Sequence, residues 1–211
     1  MDEPIQRKHG MVAFEYVNNL FDLYASAPQV TGENLSNYDH RDYGMFFQFV
    51  AYSLELSLGI DNSKDVFLLR HLMVFLLFWV GLILFFLALK SRFQNQTLAL
   101  LGILCIILSP RIFGDSFYNP KDIPLLSWFM IGIYSFVRFV KKPSLNNIII
   151  HAFVAALCIG SRIVGILIPV IFGFWLLSNY FYLDKEYKLK HILIQLTPKS
   201  RRLPIKKGII L

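Results

Sequence analysis

The chain has 211 residues, of which 55% are hydrophobic and 17% are charged, with a formal net charge of +7. Soluble domains keep about 25% of their residues charged, so this composition, with a mean hydropathy of +0.52, indicates an integral membrane protein. It excludes a disordered chain, a collagen-like repeat and a disulfide-bonded mini-protein. The two cysteines, Cys105 and Cys158, lie in apolar runs, which indicates neither a structural disulfide nor a metal cluster.

Residues 1–65 are polar overall but contain two amphipathic stretches. Apolar residues recur at helical spacing over residues 13–24, which predicts a helix in the membrane interface or against a helix bundle. Pro28 and Gly32 then break the chain, and residues 46–58 form a second apolar helix candidate. The simplest interpretation of both helices is that they cap the bundle.

Five apolar runs follow. Residues 72–89 and 163–183 are uncharged runs of 18 and 21 residues, and a membrane-spanning helix needs about 20. The runs at 97–110, 123–137 and 148–160 are shorter, and in a soluble protein they would be buried helices. Between two long runs they are better interpreted as spans with polar ends. The sequence therefore predicts an all-α, multi-pass membrane protein with five transmembrane helices and a long outer first loop.

The charged residues predict the orientation. With five spans, one side receives 13 of the 21 basic residues and the other receives 12 of the 14 acids. Because basic loops stay in the cytoplasm, the acidic side should face the periplasm, cell exterior or lumen. We predict an outer loop with amphipathic helices at 1–65, a transmembrane bundle at 66–183 and a basic cytoplasmic tail at 184–211, in the cell membrane.

The outer position of residues 1–65 requires them to cross the membrane, yet no apolar helix precedes them. Either the segment beginning at Leu72 moves the N terminus across, or an upstream helix is missing, and we favour the missing helix. The tail also stops without a further span. We therefore expect the sequence to be cut at both ends.

The link at residues 111–124 concentrates polar side chains where two apolar runs meet. Charge at this depth is costly and usually has a paired or functional role. A purely structural interpretation is also open, in which Arg111 and the isolated Arg162 extend to the membrane surface while Asp122 caps the next helix. The polar side chains of the link include Arg111, Asp115, Tyr118, Asn119, Lys121 and Asp122.

The Asp2-Glu3 pair that opens the outer loop, the amphipathic helix, and Tyr43-Gly44 before the second loop helix resemble the polyprenyl-phosphate-sugar-dependent glycosyltransferases of the GT-C superfamily. The closest likeness is to the branch of protein O-mannosyltransferases, lipid A aminoarabinose transferases and Rgt-like enzymes. Residues 109–122 resemble that branch's second outer loop, and residues 160–162 resemble its arginine-bearing turn. The likeness covers nearly the whole chain. Since family members have further helices at both ends, it implies a partial GT-C fold.

The resemblance implies an inverting enzyme that moves a sugar from a polyprenyl-phosphate donor to an acceptor on the outer face. Asp2 is expected to be the general base, with Glu3 supporting it. Asp115 or Asp122 would bind or orient the acceptor or the donor sugar. The remaining substrate-binding candidates comprise cations for the donor phosphate and a neighbouring tyrosine, namely Arg111, Lys121, Arg162 and Tyr118.

No resident cofactor is expected, because the lipid-linked sugar is a substrate. The histidines lack the close spacing of metal ligands, and two carboxylates on separate loops do not require a divalent metal. The expected partners are the polyprenyl-phosphate sugar and membrane lipids, and the sequence identifies no protein partner. A nucleic-acid role is disfavoured, since the basic residues at 199–207 suit an anionic lipid surface. The main alternative is a non-enzymatic membrane protein: a transporter segment or an inactive glycosyltransferase fragment.

Overall fold

A computed structural model of the chain describes residues 3–21, 35–40 and 44–182, except for the side chains of Tyr180 and Tyr182. These ranges contain α-helices and two 3-10 helices and no strand, which confirms the predicted all-α class. The predicted tail at 184–211 lies outside the described residues. The α-helices are α1 (Glu3–Phe21), α2 (Phe46–Ser57), α3 (Ser63–Phe93), α4 (Gln96–Ile107), α5 (Pro110–Asp115), α6 (Asp122–Lys141), α7 (Leu145–Ser161) and α8 (Leu167–Tyr182), and the 3-10 helices are Leu35–Asn37 and Ile163–Ile166.

Helices α1 and α2 pack against each other before the bundle begins. The ring of Phe14 contacts the ring of Tyr52 at a centroid distance of 5.4 Å. Gly10 permits the close approach, because a Cβ there would lie 2.4 Å from the carbonyl oxygen of Gln48. The second predicted loop helix is confirmed at Phe46–Ser57. The first predicted loop helix corresponds to α1, which begins about ten residues before the predicted apolar pattern. The pattern missed this start because the early turns of α1 bury polar rather than apolar side chains.

The core of the bundle lies between α3 and α6. Val74, Phe78 and Leu82 of α3 are buried against Ile123 and Met130 of α6. Early residues of α3 meet early residues of α6, so the two helices run parallel. Their C-terminal ends also meet, since the Lys141 ammonium of α6 donates a hydrogen bond to the Ser91 carbonyl of α3.

All five predicted apolar runs are helical for most of their described length. Two helices, Ser63–Phe93 and Asp122–Lys141, are long and apolar enough to cross a membrane. Three shorter apolar helices are Gln96–Ile107, Leu145–Ser161 and Ile163–Asn179. The run at 97–110 is divided, because α4 ends at Ile107 and a proline begins α5. The length of α4 is therefore about 18 Å, whereas the hydrocarbon core of a bilayer is about 30 Å thick. The number of spans, five, stays a prediction, as do the region boundaries.

Candidate active site

A cleft at one end of the bundle joins the start of α1 to the link between α5 and α6. Its volume is about 270 Å³, at the lower edge of the usual size of ligand sites. Residues far apart in the sequence meet here, as expected for the outer loops of one bundle. This carboxylate cleft is lined by Glu3, Gln6, Tyr118, Asn119, Pro120, Lys121 and Asp122.

Asn119 fixes the conformation of the link. Its Oδ1 accepts hydrogen bonds from the backbone N–H groups of Lys121 and Asp122, both at 3.0 Å. Its Nδ2 donates to Oδ2 of Asp122 at 3.3 Å. Asparagine commonly forms such local turns. Lys121 occupies the N-cap position of α6 without a side-chain cap, so Asp122 does not cap the helix and its carboxylate can also contact residues outside the link.

The Asp122 carboxylate accepts a hydrogen bond from Arg162, in an ion pair that reaches the end of α7. Arg162 also lines a smaller pocket beside Gln48 and Lys121. The backbone is close-packed at this point, since a Cβ at Gly44 would lie 2.3 Å from the carbonyl carbon of Ser161. The arginine-bearing turn and the link therefore lie side by side.

A buried ion-pair network lies beneath the carboxylate cleft. Glu55 of α2 accepts hydrogen bonds from Arg70 Nε of α3 at 2.5 Å and Arg7 Nε of α1 at 3.0 Å. The side chains of Glu55 and Arg70 are 1% and 2% exposed. A carboxylate and a guanidinium this deeply buried are stable only when they are paired. Glu55 therefore holds three helices together.

Gln48 connects this network to the link. Its Oε1 accepts from Arg70 Nη1 at 2.6 Å, and its Nε2 donates to the Pro120 carbonyl at 2.9 Å and to Gln6 Oε1 at 3.3 Å. Its amide is thus bonded to α1, α3 and the link together. Sequence reasoning missed Gln48, Glu55 and Arg70. The available signal was the presence of single charged residues within or beside apolar helices.

Glu3 is held by the histidine that follows Arg70. The distance between Glu3 Oε1 and His71 Nε2 is 3.0 Å, and both side chains are about one-third exposed. The neighbouring Asp2, the expected general base, lies outside the described residues. The contact between His71 and Glu3 joins residues 68 positions apart, which no local sequence pattern predicts.

Positive charge surrounds the α1 side of the cleft. Burial and, to a smaller extent, the neighbouring charges of His40, Lys121 and Lys8 together lower the pKa of His9 to about 4. The His9 ring also packs against Tyr38 at a centroid distance of 5.6 Å. Lys121 therefore acts electrostatically on α1 as well as lining the cleft.

Arg111 and Asp115 lie apart from the carboxylate cleft. They face each other one turn apart on α5, with 4.0 Å between Arg111 Nε and Asp115 Oδ2. The Arg111 side chain is 90% exposed, and neither residue lines the cleft. The structure thus brings the expected catalytic residue Glu3 together with four of the expected substrate-binding residues, but leaves Arg111 and Asp115 outside; the four are Tyr118, Lys121, Asp122 and Arg162. Within the described ranges, no group of three His, Cys, Asp or Glu residues is placed to hold a metal ion.

A family model described as dolichyl-phosphate-mannose-protein mannosyltransferase matches residues 48–198, well over half of the chain. The chain belongs to this family. No curated protein and no solved structure matches it. The match begins within α2 and includes the bundle, the link and Arg162, whereas α1 with Glu3 precedes it.

Family membership confirms the resemblance to the GT-C glycosyltransferases. The family consists of membrane glycosyltransferases that depend on polyprenyl-phosphate sugars. The membrane location is confirmed by the family and by helices apolar enough to span a bilayer. The donor class that the family implies is the lipid-linked sugar.

Proposed function

We propose that this mannosyltransferase-family protein transfers a sugar from a polyprenyl-phosphate donor to an acceptor hydroxyl or amine in the carboxylate cleft. The observation that supports this most strongly is the meeting of Glu3 with Lys121 and Asp122 in one cleft. The reaction takes place at the periplasmic or lumenal face. Residues 1–65 lie on that side and the tail at 184–211 lies in the cytoplasm.

The leaving group determines what the cations do. When the bond between the sugar and the lipid phosphate breaks, negative charge develops on the phosphate oxygen, and fixed cations stabilise it. Lys121 lines the cleft, and Arg162 is oriented by its ion pair with Asp122. A guanidinium has five N–H donors, so Arg162 can bond Asp122 and a phosphate at the same time. These two residues bind the donor phosphate.

The acceptor must lose a proton as it attacks. Asp2 is the general base, and its neighbour Glu3, fixed by the hydrogen bond with His71, positions the segment. Asp122 and Tyr118 contribute hydrogen-bonding groups for a sugar at the other wall of the cleft. Direct attack of the acceptor on the anomeric carbon from the side opposite the phosphate inverts the configuration.

The experiment is a transfer assay with a radiolabelled polyprenyl-phosphate sugar, normalised to the amount of protein in the membrane. Asp2→Asn should lower the transfer rate by about 10² to 10⁴, because the amide cannot take up the acceptor proton. Glu3→Gln should lower the transfer rate by a smaller factor than Asp2→Asn. The matched control is Asp61→Asn, which neutralises an exposed carboxylate of the outer region away from the cleft.

Donor retention in Asp2→Asn should match that of the unmodified protein, because the base does not hold the phosphate. Full transfer by Asp2→Asn would reject its role as the base and leave Glu3 as the candidate. Full transfer by both variants would reject the carboxylate cleft as the site of reaction.

Two cations test the donor side. Lys121→Gln should raise the KM for the donor by about tenfold, as expected for the loss of one charge-assisted hydrogen bond to phosphate. Arg111→Ala should raise it much less, because Arg111 lies outside the cleft. A larger increase in the donor KM for Arg111→Ala than for Lys121→Gln would mean that the donor phosphate binds at α5 rather than in the carboxylate cleft.

A further inference from the structure

A second cavity lies at the opposite end of the bundle, between the C-terminal turns of α3 and α6. Its volume is about 360 Å³, within the usual range of ligand sites. The carboxylate cleft at the other end is lined by two carboxylates and one cation. The charged residues that line this second cavity are all basic. This basic cavity is lined by Ser91, Tyr134, Val137, Arg138, Lys141 and Lys142.

No carboxylate balances these cations among the described residues of this end. Lys90 and Arg92 add two further positive charges at the end of α3. The sequence has no acid between Asp65 and Asp115, and none between Asp122 and Asp184. Helix C-termini attract cations, but that attraction requires neither a cavity nor several side chains around it. An anionic ligand accounts for the charge and the cavity together.

The surface next to the cavity is apolar on the side that faces the middle of the bundle. Leu87 lies one helical turn before Ser91 on α3, and Ile133 lies one turn before Val137 on α6, so each pair shares a helix face. Leu87 is 39% exposed and Ile133 is 41% exposed. The cavity therefore adjoins an apolar surface that an acyl chain can cover.

We propose that the basic cavity binds the headgroup phosphate of an anionic phospholipid, with an acyl chain lying along Leu87 and Ile133. Basic pockets between transmembrane helices are suited to such headgroups. Arg138 and Lys142 hold the phosphate, and the Tyr134 hydroxyl is placed to donate a hydrogen bond. Lys141, whose ammonium is bonded to the Ser91 carbonyl, closes the cavity between the two helices. This ligand is distinct from the sugar donor and does not depend on the proposed reaction.

The test is native mass spectrometry of the purified full chain, released from equimolar phosphatidylglycerol and phosphatidylcholine. The unmodified protein should retain phosphatidylglycerol in preference to phosphatidylcholine. Each cation near a lipid surface contributes about fivefold in affinity, so Arg138→Gln with Lys142→Gln should lower retention of phosphatidylglycerol by about 25-fold. The charge-conserving double variant Arg138→Lys with Lys142→Arg should keep most of the phosphatidylglycerol retention.

The matched control is Lys90→Gln with Arg92→Gln, which removes the same charge from the same end but not from the cavity lining. Its retention should stay close to that of the unmodified protein. Equal losses in the two double variants, or no loss in either, would overturn the proposal. Circular dichroism establishes that both variants fold. Competition with inorganic phosphate separates the sources: displacement by phosphate as effective as that by phosphatidylglycerol would mean a free-phosphate site and overturn the lipid assignment.

Discussion

The two ends of the bundle organise charge in different ways. At the end with the carboxylate cleft, Glu55 and Arg70 are buried and paired between α2 and α3, and Glu55 also binds Arg7 of α1. At the end with the basic cavity, the described charged residues are cations, and Arg138 and Lys142 are exposed. The N-termini of the helices there are capped by nearby side chains, such as Asn95 before α4 and Ser144 before α7.

The difference follows from what each end has to hold. Side chains that act on one substrate from several helices need fixed positions, and buried, paired charges provide them at a considerable cost in desolvation. A surface that meets lipid headgroups needs only net charge and an adjoining apolar surface. Removing a buried charge of the ion-pair network should therefore destabilise the first end, whereas removing an exposed charge should leave the stability of the second end nearly unchanged.

The largest effect is expected at Glu55. Glu55→Gln leaves Arg70 buried without a counter-charge, so the free energy of unfolding in detergent micelles should fall by about 3–5 kcal/mol. Chemical denaturation followed by circular dichroism measures it. Asp61→Asn, which neutralises an exposed carboxylate, is the control and should change stability by less than about 0.5 kcal/mol. Equal stability of the two variants would mean that the ion-pair network does not hold the helices together.

The next effect concerns pH at the cleft end. Because burial lowers the pKa of His9 to about 4, the unfolded chain binds a proton that the folded chain does not bind between pH 4 and 6.5. The free energy of unfolding should therefore be at its full value above about pH 6.5. It should decrease by about 3 kcal/mol as the pH falls towards 4. Thermal unfolding across this range measures the loss. His9→Gln should flatten the dependence, and an unchanged slope in that variant would contradict the assignment to His9.

A smaller effect is expected at the cap of α4. Asn95 Oδ1 accepts hydrogen bonds from the backbone N–H groups of Thr97 and Leu98 at 2.9 and 3.2 Å. Asn95→Ala should therefore cost about 1 kcal/mol, the typical value for a lost N-cap, whereas Asn95→Asp should keep most of the stability. A loss as large as that of Glu55→Gln would remove the contrast between the two ends.

The smallest effect is expected for the double variant Arg138→Gln with Lys142→Gln. Since both side chains are exposed, the free energy of unfolding should change by less than about 0.5 kcal/mol. The same denaturation experiment measures it. A loss of several kcal/mol would show that these cations stabilise the fold itself.

Local patterns predicted the fold well. Long apolar runs depend on neighbouring residues, so the helical class and the membrane location followed directly from the sequence, whereas the division of the run at 97–110 was not predicted. The start of α1 was missed because its polar residues, such as Gln6 and His9, are buried by partners elsewhere in the chain.

The candidate site was predicted only in part. The link at 111–124 was recognisable because charge beside an apolar run is conspicuous. The ion pair between Arg70 and Glu55 depends on how α2 packs against α3, which no local pattern encodes. Likewise, Arg111 and Lys121 looked equivalent in the sequence, and the turn fixed by Asn119 separates them.

We propose that the start of α1 and the link form one cleft that binds the donor. The direct measurement is cross-linking of Glu3→Cys with Tyr118→Cys by a short bis-maleimide, after Cys105→Ser and Cys158→Ala, with the joined peptides detected by mass spectrometry. The control pair is Glu3→Cys with Arg92→Cys, because Glu3 lies beside His71 near the start of α3 whereas Arg92 lies in the last turn of α3. We expect cross-linking within one chain for the first pair alone, and slower cross-linking when a polyprenyl-phosphate sugar is added. Equal cross-linking of the two pairs would mean that the start of α1 and the link do not meet, and a rate that the sugar donor does not change would mean that the donor does not bind between them.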